Sequence, residues 1–456
     1  MGESLHKSYY TIPVKLQAED DKHMLIHGYT GAIDIVDSNI VNAMNAGNIS
    51  SVLSEDEISL LSQRGYLTNK TVEEEQSYVA HFADVLHRMN SKLYKNFGFV
   101  ITYDCNFRCP YCFENAISNN GKAWSKQRMT KELVDRAFDA MTEIEPRREL
   151  HRKEILLYGG EPLLRENYDI VKYIVEKGTL LGYVFRAITN GYDLAYYNDI
   201  LGPDKIYSLQ ISIDGFRDNH NKNKYHYIEG KSFDKVMSNI GIALKNNVNI
   251  SVRINLDCKS INDLNKLKEY FDEQGFTNHP HFYTYAAKID FNNSNSNRRE
   301  IKYLNNRQFA NGIDQSTSGI EDIRRSSIIK TFKSYFANKS KIQFTPVGCS
   351  GQYGTHMFGP DSGIYTCFET IGKKEHCIGY YNKPKIEWTK ARNLWFSKHV
   401  GNSSHCKYCR YALLCGGNCA IKEFSSPTNN ICTNFKELFE EAVNEAYLTY
   451  ITQETL

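Results

Sequence analysis

The residues of this chain that carry the most chemistry are its cysteines, twelve in 456 residues, and ten of them fall in two tight groups. The first group is Cys105, Cys109 and Cys112, within Thr102-Tyr103-Asp104-Cys105-Asn106-Phe107-Arg108-Cys109-Pro110-Tyr111-Cys112-Phe113-Glu114. The spacing is C-x3-C-x2-C. Three thiolates within eight residues on one loop can converge on a single centre. A structural zinc site takes four protein ligands. Three leave a metal centre one ligand short, which suits an exogenous molecule, and thiolate-held iron–sulfur clusters can use such an open iron. The second group is Cys349, Cys367, then Cys406-x2-Cys409-x5-Cys415-x3-Cys419, and Cys432. Zinc ribbons also use C-x2-C pairs, but these seven cysteines fit two four-thiolate zinc sites poorly.

Composition narrows the setting. The segment Met1-Gly2-Glu3-Ser4-Leu5-His6-Lys7 lacks the apolar core of a signal peptide. No run of about 18 apolar residues is present, so no transmembrane span is expected. The expected location is the cytoplasm, where thiols stay reduced and clustered cysteines bind metal or do redox chemistry. Lys+Arg is 55 against Asp+Glu 53, a net charge of +2, which gives no electrostatic case for a nucleic-acid or membrane partner. Hydrophobic residues make up 41%, enough for a large core.

The elements that position the cysteines show in the periodicity. Apolar strands are predicted at Phe97 to Tyr103, Ile155 to Tyr158, Tyr183 to Ile188, Leu209 to Ile213, Ile250 to Leu256 and Phe282 to Ala286. Helices are predicted between them, at Lys131 to Glu145, Tyr168 to Lys177, Phe233 to Lys245 and Ile261 to Glu273. This alternation implies an α/β fold with a parallel sheet and right-handed crossovers, whose ligands sit at the carboxyl ends of the strands.

The first ninety or so residues read as a separate unit. Met24-Leu25-Ile26 and Ile33-Asp34-Ile35-Val36 flank a turn at Gly28 to Gly31, a hairpin. Ser54 and Glu57 make a capping-box signature, and Gly65 suits the helix end. Glu73-Glu74-Glu75 opens a connecting helix and reads as a solvated face. So does the segment with Arg324, Arg325, Lys330 and Lys333. The polar stretch from Asn292 to Asn297 reads as a loop and a boundary. After Cys432, the residues Phe435, Leu438, Phe439, Ala442, Ala446 and Tyr447 fall at helical spacing, an amphipathic helix packing on the body.

Polar residues recur at the predicted strand ends. Gly159-Gly160-Glu161-Pro162 ends the second strand, Thr189-Asn190-Gly191 the third, and Ser212-Ile213-Asp214-Gly215 the fourth, while Arg253 and Asn255 lie on the fifth. Two glycines let a backbone approach a ligand closely, and a carboxylate there can meet an ammonium group. Together with C-x3-C-x2-C, this order resembles the radical S-adenosylmethionine (SAM) enzymes. The resemblance implies a partial (β/α)6 TIM-type barrel. It also implies a [4Fe–4S] cluster on Cys105, Cys109 and Cys112, whose open iron chelates SAM and yields a 5′-deoxyadenosyl radical. Gly159, Gly160 and Glu161 would meet the SAM amino group, Asn190 would help hold SAM, and Ser212 would reach its carboxylate or ribose. Relatives often carry an arginine after S-I-D-G. Here the nearest match is His220-Asn221-Lys222-Asn223-Lys224, so Lys224 has no role assigned and Arg253 is a possible carboxylate partner.

The second cysteine group resembles the SPASM extension of that family, C-x9–15-G-x4-C, a gap, C-x2-C-x5-C-x3-C, a gap, and C. Ser362 stands where the glycine is expected, and Gly363 follows. By this resemblance Cys406, Cys409, Cys415 and Cys432 hold one auxiliary [4Fe–4S] cluster and Cys349, Cys367 and Cys419 the other. Cys377 could complete the second set, or one iron is left open for a substrate thiolate. Cys258 reads as a plain buried thiol. The expected domains are a winged-helix-like peptide-recognition unit (1–90), the radical SAM core (95–310), a bridging region (311–344) and the cysteine-rich iron–sulfur domain with its terminal helix (345–456). The first unit resembles, loosely, domains that bind a leader peptide by strand addition, with a structural lid as the alternative.

These resemblances imply a radical SAM oxidoreductase that matures a ribosomally made precursor peptide, installing a thioether or other side-chain crosslink. Its expected partners are that precursor and a reductant such as flavodoxin or ferredoxin. The alternatives are a formylglycine-generating sulfatase-maturing enzyme, a peptide epimerase or small-molecule SAM enzyme, and a non-catalytic zinc scaffold.

Overall fold

A computed structural model describes residues 5–114, 126–289, 301–417, 419–425, 432 and 435–454. The chain divides into two units. One is Met1–Lys92 with Arg324–Tyr353 and Phe396–Leu456; the other is Leu93–Ile323 with Gly354–Trp395.

The first unit contains β1 (His6–Lys7), β2 (Thr11–Lys15), β3 (Lys22–His27), β4 (Ile33–Asp37) and β5 (Leu67–Thr68). β2, β3 and β4 form an antiparallel sheet in that order, and β1 pairs with β5. The hairpin expected around Gly28 to Gly31 joins β3 to β4. Alternation along β3 divides the core. Met24 and Ile26 cluster with Phe332 and Phe336 of helix Ile323–Asn338 and with Phe439, Ala442 and Val443 of helix Phe435–Glu454. Leu25 clusters with Val41, Met44, Leu61 and Tyr66.

Ser54 opens helix Glu55–Gln63 with both halves of the capping box, and Thr71 does the same with Glu74 for helix Val72–Ser91. The acidic run is not wholly solvated. Glu75 is fully buried and accepts hydrogen bonds from Ser8 Oγ at 2.5 Å, Tyr9 N at 2.8 Å and Tyr29 Oη at 3.0 Å. A buried carboxylate persists only when its oxygens are so satisfied. Arg325 likewise leaves the expected solvated face, pairing with Glu445 at 2.8 Å.

The second unit is built on β6 (Lys95–Val100), β7 (His151–Tyr158), β8 (Val184–Thr189), β9 (Ile206–Ile213), β10 (Asn249–Leu256) and β11 (Phe282–Lys288). Each strand is parallel to the next in chain order, the winding of an α/β barrel. β6 and β11 do not pair, so the barrel is partial. The outer edge of β6 instead takes β12 (Thr355–Phe358) in parallel, followed by antiparallel β13 (Gly363–Tyr365), β14 (Gly379–Tyr380) and β15 (Glu387–Trp388). On β9, Leu209, Ile211 and Ile213 are buried while Ser208, Gln210 and Ser212 are half-buried. Period two thus gives one apolar face for the helices and one polar face for a ligand. Helix Phe233–Lys245 supplies the covering stripe through Phe233, Val236, Met237, Ile240, Ala243 and Leu244. Each large side chain in it is worth about 1.5–3 kcal/mol of burial.

The turn before β13 explains the displaced glycine. Ser362 has φ +64°, the left-handed conformation that favours glycine, so serine occupies the glycine's backbone state. The stretch from Asn292 to Asn297 lies outside the described residues. Among the described residues, no helix is long and apolar enough to cross a membrane.

Candidate active site

The three-cysteine loop leaves the carboxyl end of β6 and is held by its own backbone. Asp104 Oδ1 accepts Cys105 N at 2.9 Å, Cys105 Sγ accepts Phe107 N at 3.4 Å, and Cys109 O accepts Cys112 N at 3.1 Å. Gly159 and Gly160 are required beside it. A Cβ on Gly159, at φ +142°, would lie 2.3 Å from Thr102 O, and one on Gly160 would lie 2.4 Å from Asp104 O. Only glycine lets the end of β7 approach the loop this closely.

Glu161 is 2% exposed and takes three donors: Leu163 N at 2.9 Å and Thr189 Oγ1 at 2.6 Å on Oε1, and Asn190 N at 2.6 Å on Oε2. Burial pushes its carboxyl up to about 7 against the pull of these donors. Asn190 Nδ2 donates to Asn106 Oδ1 at 2.7 Å, tying the third strand end to the cysteine loop. Ser212 lies in register with Arg253, whose Nε donates to Asn255 Oδ1 at 3.0 Å.

Three residues without an assigned role also belong to the site. Asp214 is fully buried; its Oδ1 accepts Tyr111 Oη at 2.7 Å and Asn255 Nδ2 at 3.2 Å, and its Oδ2 meets no donor. Lys224 is 7% exposed, with its ammonium 6.0 Å from the centre of the Phe107 ring. Burial would depress it, but Cys109, Asp214, Cys105 and Cys112 outweigh that and hold it above its ordinary value. Glu114 is 5% exposed, and burial followed by Glu161 pushes its carboxyl up to about 8. Motif position could have flagged Tyr111 and Asp214. Lys224, in the segment after S-I-D-G, is a lysine where relatives often carry arginine, so the motif alone assigns it no role.

The thiols sense one another. Burial, then Glu161 and Cys109, push Cys105 well above its usual range; burial, then Glu114 and Cys109, do the same to Cys112. Thiols so placed stay protonated until a cation joins them. No set of His, Cys, Asp or Glu among the described residues is gathered for a single metal ion. Three mutually interacting thiols on one loop are the donor type that iron–sulfur clusters take, and the donorless Asp214 Oδ2 with the buried Lys224 ammonium fits a ligand bearing hydroxyl and carboxylate groups.

The family model described as the Radical SAM superfamily matches residues 99–268, which span the cysteine loop, the Gly-Gly-Glu turn, Asp214 and Lys224. The chain carries a radical SAM domain. The cysteine-type anaerobic sulfatase-maturating enzyme of Clostridium novyi (strain NT) is 23% identical over 377 residues, covering 77% of this chain and 95% of that protein. Among solved structures, anSMEcpe with bound AdoMet and Cp18Cys peptide matches with a TM-score of 0.57 at 16% identity, over 78% of this chain and 99% of that one. Streptococcus suis SuiB matches with a TM-score of 0.50 at 14% identity, over 92% of this chain and 96% of that one.

Outside the radical SAM domain, the cysteines separate by unit. Cys406, Cys409, Cys415 and Cys432 come together in the first unit: Cys415 is pushed up to about 12 by burial and then by the other three thiols. Cys349 and Cys419 are exposed in the same unit. Cys367, half-buried, and Cys377 lie in the second unit. Cys377 is 1% exposed, with its Sγ 3.1 Å from Gly379 O, inside a cluster with Tyr365 and Ile371. Cys258, within the matched domain, is half-buried, its Sγ 3.5 Å from Tyr303 O.

Proposed function

We propose that this radical SAM enzyme is a peptide maturase that crosslinks side chains of a ribosomally made precursor. The observation that carries the reading is the meeting of Cys105, Cys109 and Cys112 with Glu161, Asp214 and Lys224 at the carboxyl ends of β6 to β9. When bound, the cluster and SAM supply a 5′-deoxyadenosyl radical that takes hydrogen from a peptide carbon, chemistry no side chain can perform. In this reading Cys105, Cys109 and Cys112 are the cluster's ligands. Glu161 accepts the SAM ammonium, Lys224 pairs with its carboxylate, and Asp214 Oδ2 accepts a hydroxyl. Gly159, Gly160, Asn190, Ser212 and Arg253 complete the binding face.

Cys406, Cys409, Cys415 and Cys432 would hold an auxiliary cluster. The N-terminal sheet offers the edge strand β4, with Ile35 42% exposed, for addition of a leader strand. A SuiB structure bound to precursor peptide SuiA matches with a TM-score of 0.50 over 92% of this chain, which supports a precursor peptide as substrate. A second reading, formylglycine formation, is favoured by the match to 95% of the sulfatase-maturating relative. Co-expression with a candidate precursor and mass spectrometry separates them. Loss of two hydrogens without an aldehyde marks a crosslink, an aldehyde trapped by a hydrazide marks formylglycine, and an unchanged mass with a D-residue marks an epimer.

A further inference from the structure

Three cations of the first unit gather over the loop that carries Cys406 and Cys409. The Arg410 guanidinium lies over the Tyr9 ring at 4.7 Å, and the Lys407 ammonium lies over the Tyr408 ring at 4.6 Å. Tyr9 Oη donates to Tyr408 O at 2.8 Å, which joins the two aromatic platforms. Lys7, on β1, donates to the neutral Asn45 Oδ1. Burial and then the Arg410 guanidinium hold Lys7 below its ordinary range, so the two cations face one another. None of the three forms an ion pair with a carboxylate among the described residues. The carboxylate under the tyrosines, Glu75, is fully buried and already holds three hydrogen bonds.

Behind this face, Cys406 and Cys409 pack with Tyr9, Tyr10, Val79 and Leu413. Both cysteines are half-buried, so whatever their thiolates hold lies close to the surface. Tyr408, 51% exposed, puts an apolar spot among the cations. Uncompensated like charges around a small apolar centre match an oppositely charged partner that binds briefly, by electrostatic steering over a small area.

We propose that Lys7, Lys407, Arg410 and Tyr408 form the docking face for a small acidic one-electron carrier protein, of the flavodoxin or ferredoxin class, that exchanges electrons with a cluster on Cys406, Cys409, Cys415 and Cys432. This rests on the auxiliary-cluster reading of those cysteines. The step moves one electron from the reduced carrier to the cluster: the carrier is oxidised by one electron, the cluster is reduced by one, and no bond forms or breaks.

The test uses the full chain, reconstituted anaerobically, with cluster bleaching followed by stopped flow. Reduction by flavodoxin hydroquinone is compared with reduction by dithionite for the native chain, Lys407→Glu and Lys7→Glu/Lys407→Glu. The expected result at low salt is a flavodoxin rate reduced about tenfold or more in the double variant, with a shallower salt dependence. The dithionite rate and the iron and sulfide contents stay unchanged. An unchanged flavodoxin rate overturns the proposal, as does an equal slowing with dithionite. Loss of precursor binding with the flavodoxin rate intact also overturns it and assigns the face to the peptide. Iron and sulfide contents unaltered by Cys406→Ala would instead remove the cluster reading on which the proposal stands.

Discussion

Tyr111, between the second and third cysteines of the loop, donates its phenolic hydrogen to Asp214 Oδ1 at 2.7 Å. This contact couples the cysteine loop after β6 to the end of β9 and leaves Asp214 Oδ2 without a donor. Hydrogen bonds to a charged group contribute about 1.5–3 kcal/mol. Tyr111→Phe is therefore expected to weaken SAM binding about tenfold while iron per chain stays at the native value. Equilibrium dialysis with labelled SAM, alongside iron analysis, checks both.

Lys224 is expected to act as the cation opposite the SAM carboxylate. Lys224→Met should weaken SAM binding about 10–100-fold, the range of a lost charge-assisted contact. Lys224→Arg should recover much of it, because arginine keeps the charge. A structural role alone would show equal losses in both variants, so the gap between their dissociation constants is the informative quantity.

The pH dependence of SAM binding follows from Glu161, whose carboxyl is held up to about 7 chiefly by burial. An ammonium group binds its ionised form. Below about pH 7 the carboxyl is protonated and must release a proton first, so affinity falls by up to about tenfold per pH unit as pH drops; above it, affinity is level. Glu161→Gln should be weak and flat across the range. Calorimetric titration in buffers of differing ionisation heat would also count the released proton.

Ser362→Gly tests the turn before β13. Serine at φ +64° carries a left-handed backbone penalty of about 1–2 kcal/mol, partly offset by glycine's larger unfolded-state entropy of about 0.5–1 kcal/mol. The substitution is expected to stabilise the protein by about 0.5–1 kcal/mol, read as a higher denaturation midpoint with an unchanged slope.

The parts of the fold that were legible are those where chemistry repeats locally. The six barrel strands alternate or run apolar, and the strand-end motifs sit where period-two burial stops. β2 was not legible, because Pro13 argues against a strand. It is tolerated there because β2 is an edge, where a missing N–H costs no sheet bond on the open side. Glu75 looked solvated because its partners Ser8, Tyr9 and Tyr29 are distant in sequence. Lys224 has no local signature because the groups around it come from two strand ends distant in sequence, the cysteine loop after β6 and Asp214 after β9. The first unit, assembled from three separated segments, is invisible to periodicity for the same reason.

Cys105, Cys109 and Cys112 are expected to form the catalytic centre with SAM, and 5′-deoxyadenosine formation in anaerobic, reconstituted protein given SAM and dithionite measures this. Formation is expected from the native chain and none from Cys105→Ala, with the variant losing about four irons, one [4Fe–4S] cluster. Undiminished 5′-deoxyadenosine from Cys105→Ala, or zinc in place of iron and labile sulfide in the native chain, would contradict it.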